Sequence, residues 1–81
     1  MSVQSKPTQN ERILTYIAEF GGITQLEALR DLGVMRLASR ISDLRRRGYD
    51  IVAVPEAVIN RFGDPVYIKR YSFKEDAKDA V

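Results

Sequence analysis

The sequence predicts an α+β domain in which three helices are followed by a two-stranded β-hairpin. Two helical patterns lie between residues 24 and 50, joined by a glycine-containing turn, and another helical pattern precedes them. After residue 50 the pattern changes to two runs of β-branched and aromatic residues separated by turn residues. A chain of 81 residues in this order is expected to form one domain.

The first helix is predicted to begin near Thr8 or Asn10, because either side chain can cap a helix N-terminus. Its apolar residues recur at a helical spacing: Ile13, Leu14, Ile17 and Phe20. Gly21-Gly22 is expected to end it, because glycine accepts the left-handed backbone of many helix C-termini. Residues 1–7 show no periodicity and are predicted to be a disordered tail.

The second helix is predicted to begin at Thr24, which has the spacing of a capping box with Glu27. Ile23, just before it, is expected to be a short extended residue or a hydrophobic staple. The buried side of the helix is expected to carry Leu26, Ala28, Leu29 and Leu32. In the following turn, Gly33 can take a positive φ and Val34 is expected to fill the corner.

The third helix, predicted over residues 35–47, combines an apolar edge with a cationic surface. Leu37, Ile41 and Leu44 share one side because they lie at i, i+4 and i+7. Five arginines and one acid occupy the twelve residues from 36 to 47. A helix of this length measures roughly 18 Å and fits the width of a DNA major groove. Gly48 is expected to end the helix.

Residues 51–73 are predicted to form the hairpin. Pro55 lacks an N–H group, so it should occupy an edge position or a bulge. Residues 60–64 supply turn-forming side chains, and residues 66–73 read as the return strand. The domain is therefore predicted to span residues 8–73, with residues 74–81 as a charged, flexible tail.

Composition excludes several classes of function. The chain has no cysteine and no histidine, and its carboxylates form no recognisable pair, so we expect no enzyme activity, metal site, cofactor or small-molecule substrate. No apolar run approaches eighteen residues and no signal-peptide pattern is present, so we expect a cytoplasmic protein without a membrane partner. The net charge is only +2, but residues 33–73 hold eight basic and four acidic side chains.

Three helices, the last two joined by a glycine-containing turn, and a hairpin make a winged helix-turn-helix arrangement. Residues 13–73 resemble the small winged-helix domains encoded by bacteriophages and prophages. The resemblance is carried by GITQLEAL (22–29), LGV (32–34), LA (37–38), RI (40–41), LR (44–45), GYDI (48–51) and NRFG (60–63). It implies a DNA-binding fold without catalysis. The sequence departs from the pattern at Met35, where many recognition helices begin with Ser or Thr, so the third helix is expected to start less tightly.

The arginine-rich helix predicts double-stranded DNA as the partner, with the third helix in the major groove and the hairpin on the backbone or in the minor groove. The candidate DNA-binding residues lie on three segments: Thr24 and Gln25 at the start of the second helix, Arg36, Ser39, Arg40, Asp43, Arg46 and Arg47 on the third helix, and Arg61, Lys69 and Arg70 on the hairpin. The alternative interpretation is a solvated charged surface.

Several side chains have more than one interpretation. Asp43 can accept a hydrogen bond from cytosine, but pairing with a neighbouring arginine is favoured. Arg45, beside the apolar edge, is expected to be structural. Phe62 is expected to fold back onto the core rather than insert at DNA or mark a partner surface. The four tyrosines are expected to pack in the core with their hydroxyls at the rim.

These patterns predict a sequence-specific double-stranded DNA-binding protein, acting as a phage or prophage transcriptional regulator or as an accessory factor in recombination or excision. The alternative is a winged-helix protein-interaction module that modulates a host or phage protein through Phe62 and the strand 52–59. A homodimer is a reasonable expectation, because a single module reads few base pairs, although no heptad pattern indicates one.

Overall fold

A computed structural model of the chain describes residues 8–75. In chain order the elements are helix α1 (Gln9–Phe20), strand β1 (Ile23–Thr24), helix α2 (Gln25–Glu27) continuing into a π-helical turn (Ala28–Leu32), helix α3 (Leu37–Arg46), strand β2 (Ile51–Ile59) and strand β3 (Pro65–Phe73). The next two residues, Lys74 and Glu75, are helical and exposed. The tail predicted at residues 1–7, and residues 76–81 of the C-terminal tail, lie outside the described part.

Capping boxes begin both of the first two helices. The Thr8 hydroxyl accepts from the Glu11 amide at 3.1 Å, and the Glu11 carboxylate accepts from the Thr8 amide at 2.8 Å. Thr24 and Glu27 make the same reciprocal pair at 3.2 and 3.1 Å. Thr8 is therefore the cap of α1 rather than Asn10, and the predicted Thr24 box is confirmed.

The sheet has three antiparallel strands in the order β1-β3-β2, so the predicted two-stranded hairpin is wrong by one strand. Ile23 lies opposite Tyr71 and Thr24 opposite Arg70. A two-residue strand whose partner is nearly fifty residues away has no local pattern that reveals it. The predicted edge position of Pro55 is confirmed, because β2 is an outer strand of the sheet.

One core joins the helices to the base of the sheet. Its buried apolar side chains are Ile13, Ile17, Ile23, Ala28, Val34, Leu37, Ile41, Leu44, Ile51 and Tyr71. The predicted apolar edge of the third helix is thus confirmed. The predicted buried side of the second helix is wrong at Leu26 and Leu29, which are exposed. Ala28 faces the core, and Leu26 lies about 160° around the helix from it, so these two residues cannot share a buried side. Leu29 lies within the π-helical turn, whose i+5 bonding departs from the 3.6-residue repeat.

The turn between α2 and α3 has the predicted construction. Gly33 takes φ +72°, in the left-handed region, and its amide donates to the Leu29 carbonyl at 3.1 Å. Val34 follows as a fully buried plug whose amide donates to the Ala28 carbonyl at 3.0 Å. Glycine at this position lets the chain reverse without side-chain strain.

The hairpin turn is held by one asparagine. Asn60 Oδ1 accepts from the amides of Phe62 and Asp64 at 2.9 and 3.0 Å, and the Asn60 amide donates to the Asp64 carbonyl at 2.9 Å. This turn directs Phe62 into solvent, so the expectation that Phe62 folds back onto the core is wrong.

The predicted packing of the tyrosines holds for two of the four. Tyr71 is buried in the core, and Tyr16 packs against the core while its hydroxyl donates to Asp31 at 2.6 Å. Tyr49 and Tyr67 are exposed, contrary to the expectation. Tyr67 lies near the hairpin turn, opposite Ala57 on β2.

Candidate nucleic-acid interface

Helix α3 presents its arginines to solvent because its opposite side is buried. Leu37, Ile41 and Leu44 anchor it in the core. At 3.6 residues per turn, the side chains that lie away from these three core residues point to the outward side of the helix. These are Arg36, Ser39, Arg46 and Arg47, all exposed, with Asp43 and Arg40 partly buried beside them.

Asp43 pairs with two arginines of its own helix, as the favoured interpretation proposed. Its carboxylate lies 3.5 Å from Arg40 Nη1 and accepts a hydrogen bond from Arg46. These i−3 and i+3 contacts hold both guanidinium groups over the exposed surface. Arg36, Arg45 and Arg47 have no ion-pair partner among residues 8–75, and of these Arg36 and Arg47 also lie on the outward side of the helix.

Arg45 is structural, as expected. Its Nε donates to the Ile51 carbonyl at 2.9 Å, and its guanidinium lies 6.0 Å from the centre of the Tyr71 ring. These two contacts connect the last turn of α3 to the base of the hairpin. They fix the direction in which the hairpin leaves the helices.

The hairpin carries two of its predicted cations where a ligand could reach them. Arg61 is exposed in the turn, and Lys69 is exposed on β3. Neither has an acidic partner in the described part of the chain. Lys69 also borders a groove lined by Leu37 and Ala38, so the hairpin rises beside the first turn of α3. The hairpin therefore lies on the Ala38 side of α3, around the helix from Arg36, Arg40 and Arg47.

Comparison with known families decides what this arrangement is. A family model described as a winged helix-turn-helix domain matches residues 8–76. The chain belongs to this family. Neither the curated proteins nor the solved structures give a significant match. Membership supports DNA binding as the general activity of the fold. Among the described helices, none is long and apolar enough to cross a membrane.

Gln25 of the winged helix-turn-helix domain holds α2 to α3. Its Nε2 donates to the Val34 carbonyl and its Oε1 accepts from the Leu37 amide, both at 2.9 Å. The N-cap residue of α3, Arg36, makes no side-chain cap bond. Gln25 thus supplies from another helix the cap that was expected to be missing near Met35. Sequence reasoning missed this role because the partners lie nine and twelve residues away.

The structure argues against the predicted DNA contacts of two side chains on α2. The amide group of Gln25 is already bonded at both ends, and the Thr24 hydroxyl is buried and accepts from Glu27. Breaking these bonds to reach a phosphate would expose the helix ends that they satisfy. We therefore assign Thr24 and Gln25 to positioning the helices rather than to binding.

Arg70 is also engaged within the domain, so we remove it from the candidate DNA contacts. Its guanidinium donates to Glu56 at 2.6 and 3.2 Å and to Glu27 at 3.0 and 3.1 Å. Its aliphatic stem lies over Gly22, where a Cβ atom would come within 2.8 Å of Arg70 Cγ. A cation shared by two carboxylates has little charge left for a phosphate.

This triad should make stability depend on pH. Burial raises the pKa of Glu27, but the hydrogen bonds from Arg70 and the Thr24 amide outweigh burial and hold that pKa below its usual value of 4.5. The bond from Arg70 likewise lowers the pKa of Glu56. Because both folded-state pKa values are depressed, their contribution is complete above pH 4.5 and is lost as pH falls through the folded values.

We expect the melting temperature to fall more steeply below pH 4.5 in the wild type than in Arg70→Met, which keeps the apolar stem and removes the charge. Thermal unfolding followed by circular dichroism between about pH 3 and 6 measures the difference. Hydrogen bonds, chiefly from Arg30 and secondly from Tyr16, hold the pKa of Asp31 at about 2. Its contribution to the pH dependence of stability is the same in both proteins. Parallel pH profiles would contradict the assignment of Arg70.

Proposed function

We propose that this winged helix-turn-helix domain binds double-stranded DNA sequence-specifically, with α3 in the major groove and the hairpin on the backbone or in the minor groove. The observation that carries the proposal is the burial of Leu37, Ile41 and Leu44, since it turns the other sides of an arginine-rich helix outward together. Arginine suits this task because its planar guanidinium binds phosphates and guanine edges with two hydrogen bonds.

The positions along α3 suggest a division of labour. Arg36, Ser39 and Arg40 lie near its N-terminal end, which commonly reaches base edges in helix-turn-helix proteins. Arg46 and Arg47 lie at the C-terminal end and suit phosphate contacts. Asp43 orients Arg40 and Arg46 rather than reading a base. On the hairpin, Arg61 and Lys69 extend the cationic surface towards the backbone or minor groove.

The role we propose is that of a phage or prophage transcriptional regulator, or of an accessory factor in recombination or excision, without enzymatic activity. The resemblance to small phage-encoded winged-helix domains supports this role. The absence of cysteine and histidine supports the lack of catalysis.

Selection of bound duplexes from a random pool tests the proposal directly, because it reveals both binding and any preferred sequence. With about four to six phosphate contacts, the logarithm of affinity should fall with the logarithm of salt concentration at a slope of roughly −4 to −5. The proposal would be contradicted if no common sequence is enriched in the selected pool, or if the affinity does not depend on salt concentration.

Two single substitutions test the division of labour. Arg40→Ala should narrow the affinity gap between the selected and a scrambled duplex, because it removes a base contact. Arg47→Ala should weaken both duplexes alike and reduce the salt slope by about 1, because it removes a phosphate contact. Fluorescence anisotropy with labelled duplexes measures both effects. An Arg40→Ala protein with unchanged affinity and preference would refute this assignment.

The second candidate function is a protein-interaction module that modulates a host or phage protein. The exposure of Phe62 favours it, because a solvent-facing aromatic side chain is common at protein interfaces. A gel-shift experiment with random duplex DNA at low salt separates the two candidates. Non-specific DNA binding has dissociation constants that reach tens of micromolar and above. No shift at such protein concentrations would favour the interaction module.

A further inference from the structure

The end of the hairpin, residues 59–67, carries exposed apolar side chains on both faces. The exposed side chains that form this apolar tip are Ile59, Phe62, Val66 and Tyr67, with Phe62 at 82% and Tyr67 at 72% exposure. Ile59 and Tyr67 lie on one face of the ladder, and Val66 lies on the other. Exposed apolar patches of this kind on a small domain mark binding surfaces.

A complementary surface lies at the foot of the same hairpin. An apolar groove of about 410 Å³ runs between α2, α3 and the strands. Its apolar lining is Leu26, Leu37, Ala38, Val58, Ile68 and Tyr71, and its polar border is Gln25 and Lys69. Leu26 is 65% exposed and lines this groove, so its side chain is available to a partner that enters the groove.

The apolar tip cannot fill the groove of its own domain. Phe62 lies beyond Val58, roughly 10 Å further along the hairpin by strand geometry. The three hydrogen bonds of Asn60 hold the turn in a shape that points Phe62 away. If a second copy lay with its hairpin antiparallel to the first, the same spacing of roughly 10 Å would separate its groove from its own tip, so each tip could face the groove of the other copy.

We propose that two copies of this chain form a twofold-symmetric dimer in which the apolar tip of each copy fills the α3–hairpin groove of the other. This inference does not depend on DNA binding. In such a dimer Ile59 and Tyr67, which share one face of the ladder, pack around the symmetry axis. Asp64, beside Phe62 in the turn, meets Lys69 at the border of the partner groove, so the charges are complementary as well.

The available area suits a dimer. At roughly 150–250 Å² for each fully exposed aromatic side chain, the tip and groove mouth together expose on the order of 700 Å² per copy. Stable interfaces bury about 800 Å² per partner. Strand pairing along the free edge of β2 is a poorer route, because Pro55 leaves the middle of that edge without a donor.

The dimer leaves Arg36, Arg40 and Arg47 of α3 open, but it engages Lys69, so the DNA contacts of the dimer come from α3 and not from Lys69. At about 100° per residue, Ala38 lies roughly 160–180° around the helix axis from Arg36, Arg40 and Arg47. The groove and the arginines therefore occupy different sides of the same helix. Two outward arginine surfaces in one dimer would double the number of base pairs that can be read.

Sedimentation velocity of the full chain at roughly 1–100 μM protein tests the proposal. An interface of this size without residues that dominate the binding energy is expected to associate in this concentration range. The wild type should become dimeric as concentration rises. Phe62→Asp and Leu26→Lys should each be monomeric. An equimolar mixture of these two variants should recover dimers, because the heterodimer has one native tip-in-groove contact and one Asp–Lys pair.

Matched controls make the test specific. Leu29→Lys changes an exposed leucine of the π-helical turn outside the groove, and Phe20→Asp changes an exposed aromatic on α1. Both should dimerise like the wild type. Because the chain has no cysteine, a Leu26→Cys/Phe62→Cys protein offers a second readout that needs no charged substitution. It should form disulfide-linked dimers on oxidation.

The proposal is overturned if the wild type stays monomeric, if the mixture of variants fails to associate, or if Leu29→Lys disrupts the dimer as Leu26→Lys does. It is also overturned if Phe62→Asp weakens DNA binding while both proteins are monomers, since the apolar tip would then serve the nucleic acid. Circular dichroism confirms that each variant is folded before its mass is compared.

Discussion

Replacing Ile41 with alanine should unfold most of the protein at room temperature. Ile41 is 1% exposed and packs between the helices and the sheet, so its truncation removes apolar contacts and leaves a cavity. Such substitutions cost about 2–5 kcal/mol. A domain of this size has a total stability of only a few kcal/mol, so the loss approaches the whole. Urea unfolding followed by circular dichroism measures the change.

Ile59→Ala is the matched control, because it removes the same atoms from an isoleucine that is 68% exposed on the hairpin. It should change the unfolding free energy by less than about 0.5 kcal/mol at protein concentrations low enough to keep the chain monomeric. Equal losses in the two variants would mean that the helices do not share the core described above.

Reversing two charges on α3 should abolish most DNA binding. In an Arg36→Glu/Arg47→Glu protein, two cations without ion-pair partners in the described structure become anions that face the duplex. Losing the Arg47 phosphate contact costs about tenfold in affinity near 50 mM salt, and losing the Arg36 base contact together with the repulsion from two new anions brings the loss to roughly 100-fold or more. The salt slope should become shallower by at least about 1. Anisotropy titrations at several salt concentrations measure both quantities.

An Arg12→Glu/Lys74→Glu protein separates the position of the charges from their number. It has the same net charge, but Arg12 lies on α1 and Lys74 lies after β3, beside Gly48 and Asp50, so neither change is on α3 itself. Its affinity should fall much less. If both double variants lose the same affinity, the protein attracts DNA through its overall charge and α3 is not the interface.

Features that depend on near neighbours in sequence were predictable. The capping box of Thr24 and Glu27, the positive φ of Gly33 and the buried edge of α3 each involve residues within seven positions of one another. Their physics is local, since hydrogen-bond spacing and helical period are set by the backbone. The β1–β3 pairing was missed because its two sides are joined only by the complete fold.

The candidate site was predictable for the helix and less so for its surroundings. The outward position of Arg36 and Arg47 follows from the period of the apolar residues on α3. The engagement of Arg70 could not be inferred, because Glu27 lies 43 residues upstream and becomes a neighbour only when β3 crosses α2. The exposure of Phe62 depends on the shape of the turn that Asn60 holds. The residue types in this turn do not by themselves specify that shape.

The hydrogen bonds of Gln25 have a consequence for how this protein can change. Because Gln25 on α2 bonds to the backbone of Val34 and Leu37, the start of α3 does not need a capping side chain from the exposed residues Met35 and Arg36. Substitutions there should alter the preferred target with little loss of stability. The position of α3 is then held by Gln25, while the side chains of its first turn can change. New DNA target sequences can therefore be acquired by substitutions in that turn, in evolution or by design.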